Sequence, residues 1–196
     1  MRCSATHVAD GNTGHVILVD QEFLGCPDFV IGDVSADGQR HLMFATQTQL
    51  SLLRQARRWE VTKYMDGTFK IRKEPFTQLW SIHAFLQKDE CLKQVPLVFV
   101  LMSRQRAQDY VAVLRRLLEV LGDPAVEGAV MDFESACWNA VRTVLPGVDL
   151  RGCSFHSCQA VMRKVANLGL RTTYMKREGV HCFIRKLLAL PFLPAT

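Results

Sequence analysis

Apolar residues recur along this chain with two different periods, and the switches between them divide it into elements. Short runs suited to strands come first: Phe29-Val30-Ile31 and Leu42-Met43-Phe44 flank Asp37-Gly38, a dipeptide that favours a hairpin turn. Residues 61–71 read as a further strand, Arg72-Lys73-Glu74-Pro75 as a turn, and residues 76–85, with Leu79, Trp80 and Ile82, as its partner. Residues 95–102 make the next strand, and the short connections predict antiparallel pairing of these three. Spacing near 3.6 marks the helices. Thr46 or Thr48 caps one that is expected to run through Trp59, with Leu52, Ala56 and Trp59 on its buried face. Ala107, Tyr110, Val111, Leu114, Leu117, Leu118 and Leu121 repeat strongly until Gly122-Asp123-Pro124 stops them. Residues 134–145 form another helix, burying Cys137, Ala140, Val141 and Val144, and Pro146-Gly147 separates it from a short strand at 148–153. Beyond lie two more helical faces, Cys158, Val161, Met162, Val165 and Leu168, then Phe183, Ile184, Leu187 and Leu188, closed by Pro191 and Pro194. Before residue 40 the pattern is weakest: residues 10–14 are loop-like and 15–19 suit a short strand.

Two of the strands carry a carboxylate where an apolar residue is expected. Asp66 sits inside Tyr64-Met65-Asp66-Gly67-Thr68-Phe69, and Asp132 ends the run Ala129-Val130-Met131-Asp132-Phe133-Glu134 just before a helix. Taking an unpaired carboxylate out of water costs several kcal/mol, roughly, unless a partner or cation compensates it. A turn-stabilising Asp-Gly explains Asp66 alone, and a helix N-cap explains Asp132 alone. Two such aspartates together suggest one site with hard oxygen ligands, which suits Mg²⁺ or Mn²⁺ and phosphate chemistry better than zinc. Glu134 falls in the first turn of the following helix and reads as a surface acid that complements the helix dipole.

The 196 residues suffice for one domain with a sizeable core, and 48% hydrophobic content argues against disorder. A net charge of +5 permits a nucleic-acid partner without requiring one. Its distribution says more. Arg151, Arg163, Lys164, Arg171, Lys176, Arg177, Arg185 and Lys186 face a single acid, Glu178, across the last third. That asymmetry makes a candidate phosphate-facing surface, the alternative being a solvated helical face. Seven scattered cysteines point to a reducing compartment rather than a disulfide scaffold. No apolar run approaches the roughly 18 residues of a membrane span, so a soluble chain is expected, with no membrane and no small-molecule cofactor.

The segments Asp66-Gly67-Thr68-Phe69, Met131-Asp132-Phe133-Glu134 and Gly152-Cys153-Ser154-Phe155-His156, in this order, closely resemble the transposase domain of Mutator-like elements. The resemblance runs from about residue 29 to 194. It implies an α/β, RNase H-like fold of the DDE transposase superfamily, a mixed sheet in the order β-β-β-α-β-α-β with flanking helices. It sets a poorly defined segment at 1–40 before a transposase domain at 41–196 that ends within the helical insertion, incomplete at its C-terminus. It implies that Asp66 and Asp132 lie on adjacent strands as catalytic metal ligands for Mg²⁺ or Mn²⁺, with DNA as the partner and the nucleus as the compartment. In the family a glutamate further downstream completes the set, and two divalent ions about 3.5–4 Å apart drive phosphodiester displacement. This chain carries no acid in that position, so it is expected to be inactive and, with part of its apolar surface uncovered, to self-associate.

Cys153-x-x-His156 invites a zinc reading with His181-Cys182 as its other half, but that adjacent pair suits a structural zinc site poorly. The resemblance instead makes Cys153 and His156 site-architecture or DNA-contact residues, with Arg163 and Lys164 as DNA contacts; a buried cysteine and a satisfied histidine are the alternative. Trp59, Trp80 and Trp138 read as core, and His7, His15, His41 and His83 give no signal. Two rival readings stand beside the transposase: a domesticated or truncated module that binds DNA or protein without catalysis, and an unrelated α/β scaffold in which both aspartates are structural.

Overall fold

The computed structural model describes residues 25–26, 28–64, 75–122 and 124–193. Asp66 therefore lies outside the described residues, as do the turn at 72–74 and the loop and strand expected at 10–19. The chain opens with the hairpin β1 (Val30–Ala36) and β2 (Gln39–Phe44). Asp37 and Gly38 both adopt positive φ, 47° and 71°, the turn conformation that matches the right-handed twist of the strands. Helix α1 (Gln47–Gln55) follows. Thr46 caps it: its Oγ1 accepts from the Gln49 backbone N–H, and the Gln49 side chain accepts from the Thr46 N–H in return.

This helix ends four residues before Trp59, contrary to the pattern of Leu52, Ala56 and Trp59. Strand β3 (Arg58–Tyr64) takes over because its backbone pairs on both sides, parallel to β6 and antiparallel to β4. Trp59 is a core residue of that strand, 1% exposed, and Leu50 and Leu53 supply the buried face of α1. Tertiary pairing has overridden a weak helical period.

β4 (Gln78–Lys88) and β5 (Cys91–Met102) form a long antiparallel hairpin that begins earlier than the apolar run at 95–102 predicts. Its register shifts where Ile82 faces Val98 and His83 faces Pro96, which fits a bulge beside a residue with no backbone N–H to donate. Helix α2 (Ala107–Leu121) buries Tyr110, Val113, Leu114, Leu117 and Leu121. Then come β6 (Gly128–Met131), α3 (Ser135–Val144) and β7 (Asp149–Gly152). The C-terminal helices are α4 (Ser154–Asn167), α5 (Arg171–Lys176) and α6 (Glu178–Ala189), followed by a 3-10 turn at Leu190–Phe192.

One mixed sheet of seven strands results, in the order β1-β2-β5-β4-β3-β6-β7. β6 and β7 run parallel to β3, and every other pairing is antiparallel. Helix α2 packs on α3 and on β1, while α1 packs on β5. The core joins Trp59, Trp80, Ile82, Val100, Tyr110 and Leu114. The three C-terminal helices pack most closely on one another, α5 on α6 and α4 on α6. No described helix is long and apolar enough to cross a membrane.

Candidate metal centre

The parallel pairing of β3 with β6 sets Val61 opposite Met131, so both strands deliver the chain to the same end of the sheet. β6 stops at Met131, and Asp132 is the first residue past it. The adjacent parallel strand β7 ends at Gly152, opposite Met131, and Cys153 is the first residue past that. Two parallel strands of equal register thus place Asp132 and Cys153 side by side. The Cys153 backbone N–H donates to the Met131 carbonyl (2.8 Å), extending the ladder by one bond. Cys153 then serves as the N-cap residue of α4, whose first turn carries His156 three residues on, the spacing that sets two side chains on one helix face.

These three side chains converge. A carboxylate oxygen of Asp132, the Cys153 sulfur and a ring nitrogen of His156 all lie within 4.8 Å of one another, each side chain half-buried. His156 Nδ1 approaches Asp132 Oδ1 to 2.5 Å without hydrogen-bond alignment.

The surroundings hold the Asp132 loop firmly. Trp138 Nε1 donates to the Asp132 carbonyl (2.7 Å), fixing the turn between β6 and α3. Phe133 stacks on the same indole at 6.4 Å between centroids, and the Arg142 guanidinium sits over that ring at 5.3 Å. Trp138 is therefore a half-buried wall of the site that packs against the core, whereas Trp59 and Trp80 lie inside it. The Phe133 ring also lies against Gly152, where a Cβ would collide with it. Phe155 meets the His156 ring edge-on at 5.4 Å.

Glu134 is not the surface acid that its position in the sequence suggests. It occupies the N-cap position of α3 with no side-chain cap bond, and its Oε1 accepts from the Tyr110 hydroxyl (3.0 Å). That hydroxyl in turn accepts from Gln78 Nε2 (2.7 Å), and burial pushes the phenol far above its ordinary range. The chain Gln78–Tyr110–Glu134 ties β4 to the entrance of α3. Asp132 is likewise no N-cap, since Glu134 fills that place. Neither the Trp138 donation nor the Tyr110 donation has a sequence signal, because both bridge separate elements.

Arg163 and Lys164 are exposed on α4, about two turns beyond His156, outside the cluster. Among the described residues the other acids after Asp132 also stand apart from it. Asp149, at the start of β7, pairs with Arg151 (2.9 Å) and Arg58 (4.0 Å), and Glu178 opens α6.

Of the described donors beside Asp132, one is a thiol and one an imidazole. Such a set can hold a divalent metal, but it does not fit Mg²⁺, which takes oxygen ligands in an octahedron. Residues 62–160 match the family model of the MULE transposase domain. No curated protein matches the chain.

Proposed function

The chain belongs to the MULE transposase domain family, and from that premise we propose that it is a transposition-related DNA-processing domain that binds DNA but, over these 196 residues, does not cut it. The observation that carries the reading is the parallel adjacency of β3 and β6, with Asp132 at the end of the second inside the matched segment. The central strands, in the order β5-β4-β3-β6-β7 with β4 antiparallel and β6 parallel to β3, support an RNase H-like core. In that arrangement Asp66 and Asp132 are the catalytic carboxylates, and Cys153 and His156 build the site around Asp132.

Three features support DNA as the partner. Arg163, Lys164 and the six other basic residues from Arg151 onward are all exposed, with Glu178 as the acid among them. Phe133 and Phe155 each follow or precede a site residue and are 65% and 66% exposed, which leaves apolar ring surface for unpaired bases at the mouth of the site. The nucleus as its compartment is part of the same proposal and rests on the family resemblance. Lack of cleavage by these residues by themselves is argued from charge: in-line phosphodiester displacement by two metal ions needs several carboxylates, and none of Glu134, Asp149 and Glu178 is placed to join Asp132. Glu134 is engaged by Tyr110, Asp149 by arginines, and Glu178 sits on the far helix.

Two measurements on the purified chain test this. Fluorescence anisotropy with a labelled duplex should show binding that weakens steeply with salt; no binding at low salt would refute the DNA reading. Incubation of supercoiled plasmid with Mn²⁺ should give no nicking, and nicking that disappears in Asp132→Asn would overturn the inactive assignment.

A further inference from the structure

We propose that Asp132, Cys153 and His156 form a binding site for a thiophilic divalent ion, Zn²⁺ being the chemical match, with a fourth coordination position that no described residue fills. The site goes beyond the DNA reading and does not depend on it. Three donors of the kinds that zinc favours, a thiolate, an imidazole and a carboxylate, already lie within 4.8 Å of one another. Ligands of one tetrahedral ion at about 2.0–2.3 Å stand roughly 3.3–3.8 Å apart, so small side-chain rotations suffice to close the set. The present 2.5 Å approach of His156 Nδ1 to Asp132 Oδ1 is tighter than that, and an entering ion would part them.

The framework is rigid where a metal site needs it to be. Cys153 is held by its N–H donation to Met131, Asp132 by the Trp138 indole donating to its carbonyl, and His156 by the first turn of an amphipathic helix. The donor set also discriminates. Sulfur and imidazole favour Zn²⁺ over Mg²⁺, and the net charge of a carboxylate and a thiolate neutralises the ion. Binding converts the Cys153 thiol to a thiolate, and its proton passes to the solvent. The described residues supply three ligands, and a fourth position that none of them fills would take water or a phosphate oxygen, as in reactive zinc sites. His181 and Cys182, the other pair with zinc-like chemistry, lie on α6, and Cys182 is exposed; among the described residues they join no such group.

The test uses the full chain, reduced and metal-free, titrated with Co²⁺ and then Zn²⁺. Expected is one equivalent of Co²⁺ with a sulfur-to-cobalt charge-transfer band, bleached by one equivalent of Zn²⁺. Cys153→Ser should abolish the band, and His156→Ala and Asp132→Asn should each weaken Zn²⁺ binding at least tenfold. Cys182→Ser should change nothing. Circular dichroism shows whether each variant keeps its fold, and Mg²⁺ in large excess should not compete. Absence of the band in the unaltered chain, or a band that survives Cys153→Ser or falls with Cys182→Ser, would overturn the proposal. The readout contains no DNA, so its outcome and that of the binding and nicking assays are independent.

Discussion

At the scale of single residues, the chain keeps several polar groups inside its core, and they set how it responds to acid. His41 and Asp109 are both fully buried, with His41 Nε2 3.5 Å from Asp109 Oδ1. Burial alone would raise the Asp109 carboxyl. Hydrogen bonds from the Arg106 backbone N–H (2.9 Å) and guanidinium (3.0 and 2.9 Å) outweigh it and hold the group below its usual range. Burial pushes the His41 ring below its ordinary 6.5 against the pull of Asp109, and burial does the same to His83, which shares a 2.8 Å contact with Ser81 Oγ. A depressed folded-state value means that the unfolded chain binds the proton first as pH falls. Stability is therefore full above about pH 6.5 and declines as pH drops through the folded values. Urea midpoints at pH 7.5 and 5.5 should show the lower value at 5.5, with the gap narrowed in His41→Gln and in His83→Gln. Equal midpoints in the unaltered chain would show that neither ring stays neutral. Neither histidine was legible in the sequence, because an isolated His carries no mark of whether its neighbours are apolar. Asp132 stood out in the sequence as a carboxylate at a strand end, whereas Cys153 and His156 were singled out through the family resemblance; that the three converge was not legible, nor was the bond from Trp138, because its partner is a backbone carbonyl in a turn.

Among the elements, the most legible were those whose local pattern and tertiary role agree. Asp37-Gly38, the periodic helix at 107–121 and the strand ending before Asp132 all satisfy local geometry and core packing with the same residues. The helix through Trp59 fails because pairing with two neighbours decides where β3 begins, and that information lies near residues 80 and 130. Its start, by contrast, is a purely local device. Thr46 and Gln49 satisfy each other's backbone donors, so Thr46→Ala removes one acceptor and should cost about 1 kcal/mol in a denaturation experiment. Thr46→Ser keeps that acceptor and should cost much less. Equal losses for both would mean that packing of the Thr46 methyl, and not the capping bond, anchors α1. A core substitution should be far more damaging. Leu114, 1% exposed at the centre of α2, should lose about 2–5 kcal/mol as Leu114→Ala, because the surrounding side chains cannot close the cavity.

For the whole molecule, two opposing surface properties meet on the C-terminal helices, and salt separates them. Val161, Leu168, Leu170, Val180, Phe183 and Leu187 line an apolar cavity of about 440 Å³ between α4 and α6. Leu168 is 58% exposed, and Phe183, Met175, Phe192 and Leu193 are also exposed along the same C-terminal segment. Covering one such side chain fully is worth roughly 1.5–3 kcal/mol, so a few together can drive association of two copies at micromolar concentration. The same helices carry exposed Arg163, Lys164, Arg171, Lys176, Arg177, Arg185 and Lys186, so two copies meeting there repel. At about 0.1 M ionic strength the screening length is roughly 10 Å and it shrinks to about 3 Å at 1 M, which removes most of that repulsion while leaving the apolar term intact. Self-association should therefore strengthen as salt rises. DNA binding should do the reverse, losing roughly 0.9 in the slope of log K against log salt for each phosphate contact removed. Sedimentation velocity across a salt series should show the dimer fraction growing, and Phe183→Ser should suppress it without altering the DNA salt slope. Arg163→Gln with Lys164→Gln should lower that slope by up to about 1.8 and make self-association easier at low salt. A dimer that dissociates as salt is added would mean that charge pairing holds it, and the apolar cavity would then have no part in assembly.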